Sequence, residues 1–242
     1  MKSHFISGLL LALIALNGHA QSAPAPVVLD RVIAVINHDV LLQSDVDEEM
    51  HLATLEPFQH KDNDTRQNAM RRLINRDLIL QQMNDQQVKS DISDAQVRQS
   101  LDEVRANLPA CAKYDCRTAA GWKAFLAAND LTEQEVNDHW KQRLAVLHFI
   151  DVRFRMGIRI PQANIADYYA KSVVPVFSRQ HQAPPSLKSV SGRIQEVLLQ
   201  QQVNGMMQDW LKSLRDEGSV RIVDPEYAAA AETPSDQKQS EE

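Results

Sequence analysis

Residues Asp30 to Met50, DRVIAVINHDVLLQSDVDEEM, read as strand, tight turn, strand and helix start. Val32 to Ile36 is a β-branched apolar run, Asn37, His38 and Asp39 tolerate turn geometry, and Val40 to Leu42 is a second apolar run. The stretch 31–42 therefore spells a β-hairpin. Ser44 stands where an N-cap would, with Asp47 three residues on and Asp45, Glu48 and Glu49 in the first turn, at the positive end of the helix dipole. A helix is expected from Ser44. A lone hairpin is marginal in water, so the apolar faces of Val32 to Leu42 need cover from elsewhere in the chain.

Moving outward, 56–64 is polar with a proline and reads as a loop. Thr65 to Gln87 carries Met70, Leu73, Ile74 and Leu78 at helical spacing, widened by Leu80 and Met83, with Gln81 on the edge of the stripe. Ser93 to Gln96 is a capping box that opens a second helix bearing Val97, Leu101, Val104 and Leu108, and these two helices are expected to pack on each other. Thr118 to Asn129 forms a short helix with Trp122, Phe125 and Leu126 on one side. Thr132 to Glu135 is another capping box, beginning a long helix with Val136, Trp140, Leu144, Leu147, Phe149, Ile150 and Phe154, stopped by Gly157 and Pro161. Ala163 to Ser172 suits one more helix, and Val173 to Ser189, with three prolines and no periodicity, reads as a connector.

A last helix is expected over 189–217, interrupted by Gln200 to Gln202 in a way that suits two different surroundings. Gly218 stops it, and a short strand over 220–223 follows. From 225 to 242 the composition is that of a disordered tail. The fold class is mainly α, with a small β-hairpin.

The first residues carry a targeting signature. Lys2 is a short positive region, Phe5 to Leu16 an apolar run, and Gly18-His19-Ala20 a small-residue end suited to cleavage after Ala20. The apolar run is shorter than the roughly 20 residues of a membrane span. Residues 1–20 are thus expected to be a cleaved signal peptide of bacterial type, the protein periplasmic, and 21–29 a Pro/Ala linker. Removing the first 20 of 242 residues leaves 222 and moves the net charge from −6 to −7. An overall field of that sign argues against nucleic acid or anionic lipid as the main partner.

Cys111 and Cys116 are the two cysteines. In an exported protein they suggest one disulfide, closing a loop of about six residues and contributing about 2 kcal/mol on the loop-entropy model. A redox or metal role is the weaker alternative, since no CxxC spacing and no second pair are present.

The two ends together bring a resemblance into view. A chain that opens with D-R-V-I-A-V-I-N, a turn and V-L-L-Q-S-D-V, and closes with S-G-R-I-Q-E-V-L-L, W-L-K-S-L-R and V-R-I-V, resembles the N-terminal chaperone domain of the SurA-like, parvulin-type periplasmic foldases. The match covers Asp30 to Gln87 and Lys188 to Asp224; the middle agrees only in being helical. The resemblance implies one chaperone domain over 30–224, in which helix 189–217 and strand 220–223 return to complete the hairpin. It also implies clients that are unfolded or extended polypeptides, such as outer-membrane proteins. In that family, parvulin isomerase domains of about a hundred residues precede the C-terminal helix. Here Pro161 to Lys188 alone fills that interval, and the chain has no Gly-Gly pair for the parvulin turn. The expectation is a chaperone without catalysis. A prolyl isomerase, or an assembly factor with one dedicated protein partner, are the alternatives.

No catalytic, metal or cofactor set stands out. The eight histidines are scattered, no HExxH or nucleophile elbow is present, and His139 beside Asp138 reads as a surface or partly buried side chain. Glu48, Glu49, Asp45 and Asp47 are accounted for by capping and solvation. Client contact would use adaptable apolar groups, for which Met50, Met70, Met83, Met156, Met206, Met207, Trp122, Tyr168, Tyr169 and Phe177 are candidates, though each one singly is more readily a core residue.

Overall fold

A computed structural model describes residues 29–56, 65–88 and 90–230. The expected signal peptide 1–20 and residues 231–242 of the expected tail lie outside them, as do most of the linker and of the 56–64 loop.

Strands β1 (Val32–Ile36) and β2 (Asp39–Leu42) form the hairpin, joined by the two residues Asn37 and His38. Asn37 takes the left-handed φ of 56° that this turn needs and that asparagine tolerates. Helix α1 (Gln43–Leu52) follows without a break. It starts one residue before the expected Ser44 because Asp45, not Ser44, makes the cap: its carboxylate accepts the Leu42 N–H at 2.7 Å. Ser44 lies inside the first turn, where its hydroxyl donates to the Asp30 carboxylate.

The cover for the hairpin comes from three places. Helix α2 (Arg66–Asp85), capped by Thr65, lays Ala69, Met70, Leu73, Ile74 and Leu78 against Ile33, Ala34, Ile36 and Leu41. The chain's far end supplies the other two: β3 (Val220–Ile222) and a 3₁₀ helix over Pro225–Ala230. β3 pairs antiparallel with β1, Ala34 opposite Ile222 and Ile36 opposite Val220, giving the order β2-β1-β3. β1 is thus the central strand. Residues 225–230 correct the expected disordered tail, because Tyr227 and Ala230 are fully buried in the hairpin core. An aromatic of that size under the sheet orders the segment that carries it.

A second core forms around α3 (Asp94–Asn107), α4 (Ala119–Ala128) and α5 (Glu133–Ile150), with Val97, Leu101, Trp122, Phe125, Leu126, Val136 and Trp140 buried together. The boxes Ser93/Gln96 and Thr132/Glu135 cap α3 and α5 reciprocally. α3 packs on α5, where the Trp140 indole N–H donates to the Ser100 hydroxyl, and not chiefly on α2 as its stripe suggested. Cys111 and Cys116, both buried here, have their sulfurs at bonding distance, 2.18 Å. Their loop rides on α4: a Cβ on Gly121 would lie 2.0 Å from the Tyr114 carbonyl oxygen.

α5 continues as a π-helical turn over Asp151–Arg155. Then come α6 (Gln162–Tyr168), a second π turn (Tyr169–Val173) and α7 (Val174–Arg179). Helix therefore extends to Arg179 through the segment expected as a connector. The wide turn just ahead of Pro175 is where a helix can absorb a residue that lacks an N–H. Helix α8 (Leu187–Glu217), capped by Ser186, runs back along α6 and ends at Gly218. From 157 to 202 Ile165 and Ile194 are the buried side chains, so α6, α7 and the first half of α8 form a thin arm. The second half of α8 enters a third core with Ile79, Met83, Ala145, Phe149 and Leu211. The two surroundings of α8 are thus the arm and the body. Among the described residues, no helix is long and apolar enough to cross a membrane.

Candidate functional site

Two concave regions flank α5. The first is a cleft of about 400 Å³ between α1, α2 and α5, lined by Asp45, Glu48, Asp77, Glu135 and Asp138 around Arg76 and His139. Glu49 forms its inner wall. It is the buried charged residue of the described chain, held by Arg72 Nε at 2.6 Å and Arg76 Nη1 at 2.7 Å. Burial pushes its carboxyl up, but the charges and hydrogen bonds of Arg76 and Arg72 outweigh this and hold it below its ordinary value. Capping and solvation thus fail to account for Glu49. The available signal is its place on the buried face of α1, three residues from both Val46 and Leu52, opposite two arginines four residues apart on α2.

His139 is half-buried in the same cleft. Desolvation, aided by Arg76, lowers it to about 4, so it is a neutral ring at neutral pH. Asp77 moves the other way. Burial and the neighbouring Asp39 carboxylate raise it to about 6, and the Gln81 amide lies within hydrogen-bonding distance of both carboxylates, 3.1 and 2.8 Å away. Glu48 is raised as well, by burial and then by Glu135 and Asp45. The pattern is structural: each of these groups faces a partner that explains it.

The second region is a groove of about 510 Å³ between α3, α5 and α8. Ile92, Leu144, Leu147, Ile150 and Val203 give it an apolar floor, with Gln99, Glu103, His148 and Gln200 at its edges. Leu147 is 48% exposed. It also borders a third hollow, of about 400 Å³, whose apolar wall includes Val146 and Met207. Apolar surface therefore continues across Leu147 from one hollow to the next. Polar edges around it can meet the backbone groups of an extended chain.

The candidate client residues are not brought together. Met70, Met83 and Trp122 are core, and Met50 is packed against the hairpin core. Met156, just past the π turn that follows α5, is 75% exposed, Met206 is exposed on α8, and Tyr168, Tyr169 and Phe177 are half-buried along the arm. Of the named candidates, Met207 alone borders a hollow described above. Nothing in the sequence marks Ile92, Leu144, Leu147 and Val203 as contact residues, since a helical stripe reads as core whether or not a partner covers all of it. Cys111 and Cys116 sit in the second core, away from either region. Among the described residues no group of three His, Cys, Asp or Glu could hold a metal ion. No family model and no curated protein matches the chain.

Proposed function

We propose that the chain is a periplasmic chaperone that binds unfolded or extended polypeptides, outer-membrane proteins in transit among them, without catalysis. The observation that carries this reading is the polar-edged groove between α3, α5 and α8, with Leu147 half out in solvent and apolar surface continuing past it. Exposed contiguous apolar surface of this kind marks interaction sites. A groove accepts side chains of an extended client while the client's backbone meets glutamines at its edge. No nucleotide or cofactor is called for, and affinity stays modest because the client loses conformational entropy.

The resemblance of both ends to SurA-like foldases supports the same reading. So does the interval 161–188, where that family carries catalytic domains: it is occupied by α6, α7 and the link to α8. The signal-like residues 1–20 support export.

The test is suppression of aggregation of an unfolded outer-membrane porin at stoichiometric ratio. The chain is expected to suppress it, and Leu147→Asp to lose most of that effect with its thermal unfolding unchanged. If the wild-type chain left aggregation untouched, the chaperone reading would fall. A protease-coupled assay on a cis-proline peptide is expected to show no catalysis; turnover there would favour the isomerase alternative. Recovery of a single stoichiometric partner would favour a dedicated assembly factor.

A further inference from the structure

The net charge of −6 conceals a strong segregation. Residues 152–200, from the end of α5 through the arm, contain seven Lys or Arg and two acidic residues, net +5, which leaves −11 for the rest. From 168 to 195 no acidic residue occurs at all. Part of this charge is used internally: Arg155 pairs with Asp151 and Glu196, Lys171 with Asp167, and Arg153 stacks over Trp210 and Phe154. Arg159, Arg179, Lys188 and Arg193 are exposed and join no ion pair among the described residues. Exposed apolar side chains lie among them, namely Met156, Val176 and Val197.

We propose that this arm is a docking surface for anionic phospholipid bilayers. Overall charge does not oppose this, because the field of the acidic body is screened within about 8 Å at physiological ionic strength, while an 18-residue helical path (162–179) spans about 27 Å. Charge complementarity selects an anionic partner. The shape of the arm selects a surface over a peptide. Its cations are spread along its length, and the three hollows described above, like a fourth along α3, have no lining residue between 156 and 199. Recognition by dispersed cations with interleaved apolar groups suits lipid headgroups, where each base adds to the attraction and short apolar side chains enter the interface.

The test uses the chain beginning at Gln21, which retains every described residue and excludes the apolar run 5–16. It is sedimented with vesicles of phosphatidylcholine containing phosphatidylglycerol and with vesicles of phosphatidylcholine alone. Binding is expected on the anionic vesicles only, weakening as salt is raised. The triple variant Arg179→Gln, Lys188→Gln, Arg193→Gln is expected to bind about a hundredfold more weakly, each base contributing about fivefold. Lys141→Gln, on the body, is expected to bind as the wild type does. Equal binding to both vesicle types, no binding to anionic vesicles at low salt, or an unaffected triple variant would each overturn the proposal. So would capture of an acidic peptide such as polyglutamate with no vesicle binding, which would make the arm a site for acidic polypeptides.

Discussion

Asn37 and Ser219, far apart in sequence, close the fold on each other: the Asn37 side-chain oxygen accepts the Ser219 N–H at 2.8 Å, and the Asn37 N–H donates to the Ser219 carbonyl at 2.7 Å. Asn37 also donates to Gln81 on α2, so the hairpin turn, the helix that covers it and the returning end of α8 meet at one side chain. Asn37→Ala is expected to cost about 1–2 kcal/mol, since it strips two hydrogen bonds and the residue best suited to the left-handed turn. Gly218→Ala is expected to cost about 1–3 kcal/mol, because the new Cβ would lie 2.7 Å from Asn37 Oδ1 and 2.9 Å from the Leu214 carbonyl oxygen. Denaturant titration reads both.

Removing the returning end altogether separates its two parts. A chain ending at Gly218 loses β3 and Tyr227; one ending at Asp224 keeps β3 and loses Tyr227. Both are expected to melt well below the full chain, the shorter one lower. Tyr227→Ala is expected to cost about 3–5 kcal/mol, as for other large buried aromatics. Tyr227→Phe should cost about 1 kcal/mol, for the hydroxyl's bond to Gln43. An unchanged melting temperature for the chain ending at Gly218 would show that the C-terminal return is dispensable.

Much of this architecture is legible in the sequence, for reasons that differ by element. The boxes at Ser93 and Thr132 are local devices, so residues three apart suffice to place α3 and α5. The faces of Val32 to Leu42 demand cover, but that the strand near 220 supplies it is legible only through the resemblance of the two ends to the SurA-like foldases. Tyr227 and Gly121 are different: one buried tyrosine in an alanine-rich stretch, and one glycine whose need arises from the disulfide loop lying across it, have meaning only in three dimensions. The groove at Leu147 is invisible for a similar reason. Periodicity marks which face of α5 is apolar, not how much of it α3 and α8 leave uncovered.

Glu49 is expected to be the most sensitive charged position in the body. Glu49→Ala leaves Arg72 and Arg76 facing each other across the space of the missing carboxylate, and a loss of about 3–5 kcal/mol is expected, as for other buried pairs broken from one side. Its folded value is depressed below the ordinary 4.5. Its contribution is therefore complete above about pH 4.5 and disappears as pH falls through the lower folded value. A wild-type stability that falls no more steeply below pH 4.5 than that of Glu49→Gln would argue against the clamp.

Asp77 and His139 act in opposite directions over the same pH range. Asp77 has a folded value of about 6 against an ordinary 3.8, so the fold binds its proton more tightly than the unfolded chain does. The stability linked to it is present in full below pH 3.8 and is lost as pH rises through 6. His139, at about 4 against an ordinary 6.5, behaves the other way. The unfolded chain takes up its proton first, so stability is lost as pH falls from 6.5 through 4. In the wild type the two effects offset each other between pH 4 and pH 6.5. Asp77→Asn keeps an acceptor for Gln81 and removes the strained charge. It should gain about 1 kcal/mol at pH 7.5, a figure reduced from the full shift because the group is partly solvated, and the gain should vanish by pH 4. In that variant the His139 term is uncovered, and stability should fall more steeply than in the wild type as the solution is acidified from pH 6.5. His139→Gln should give the converse, a stability that rises between pH 6 and pH 4. Parallel curves for the wild type and both variants, measured by urea unfolding across this range, would show that neither group titrates as its surroundings dictate.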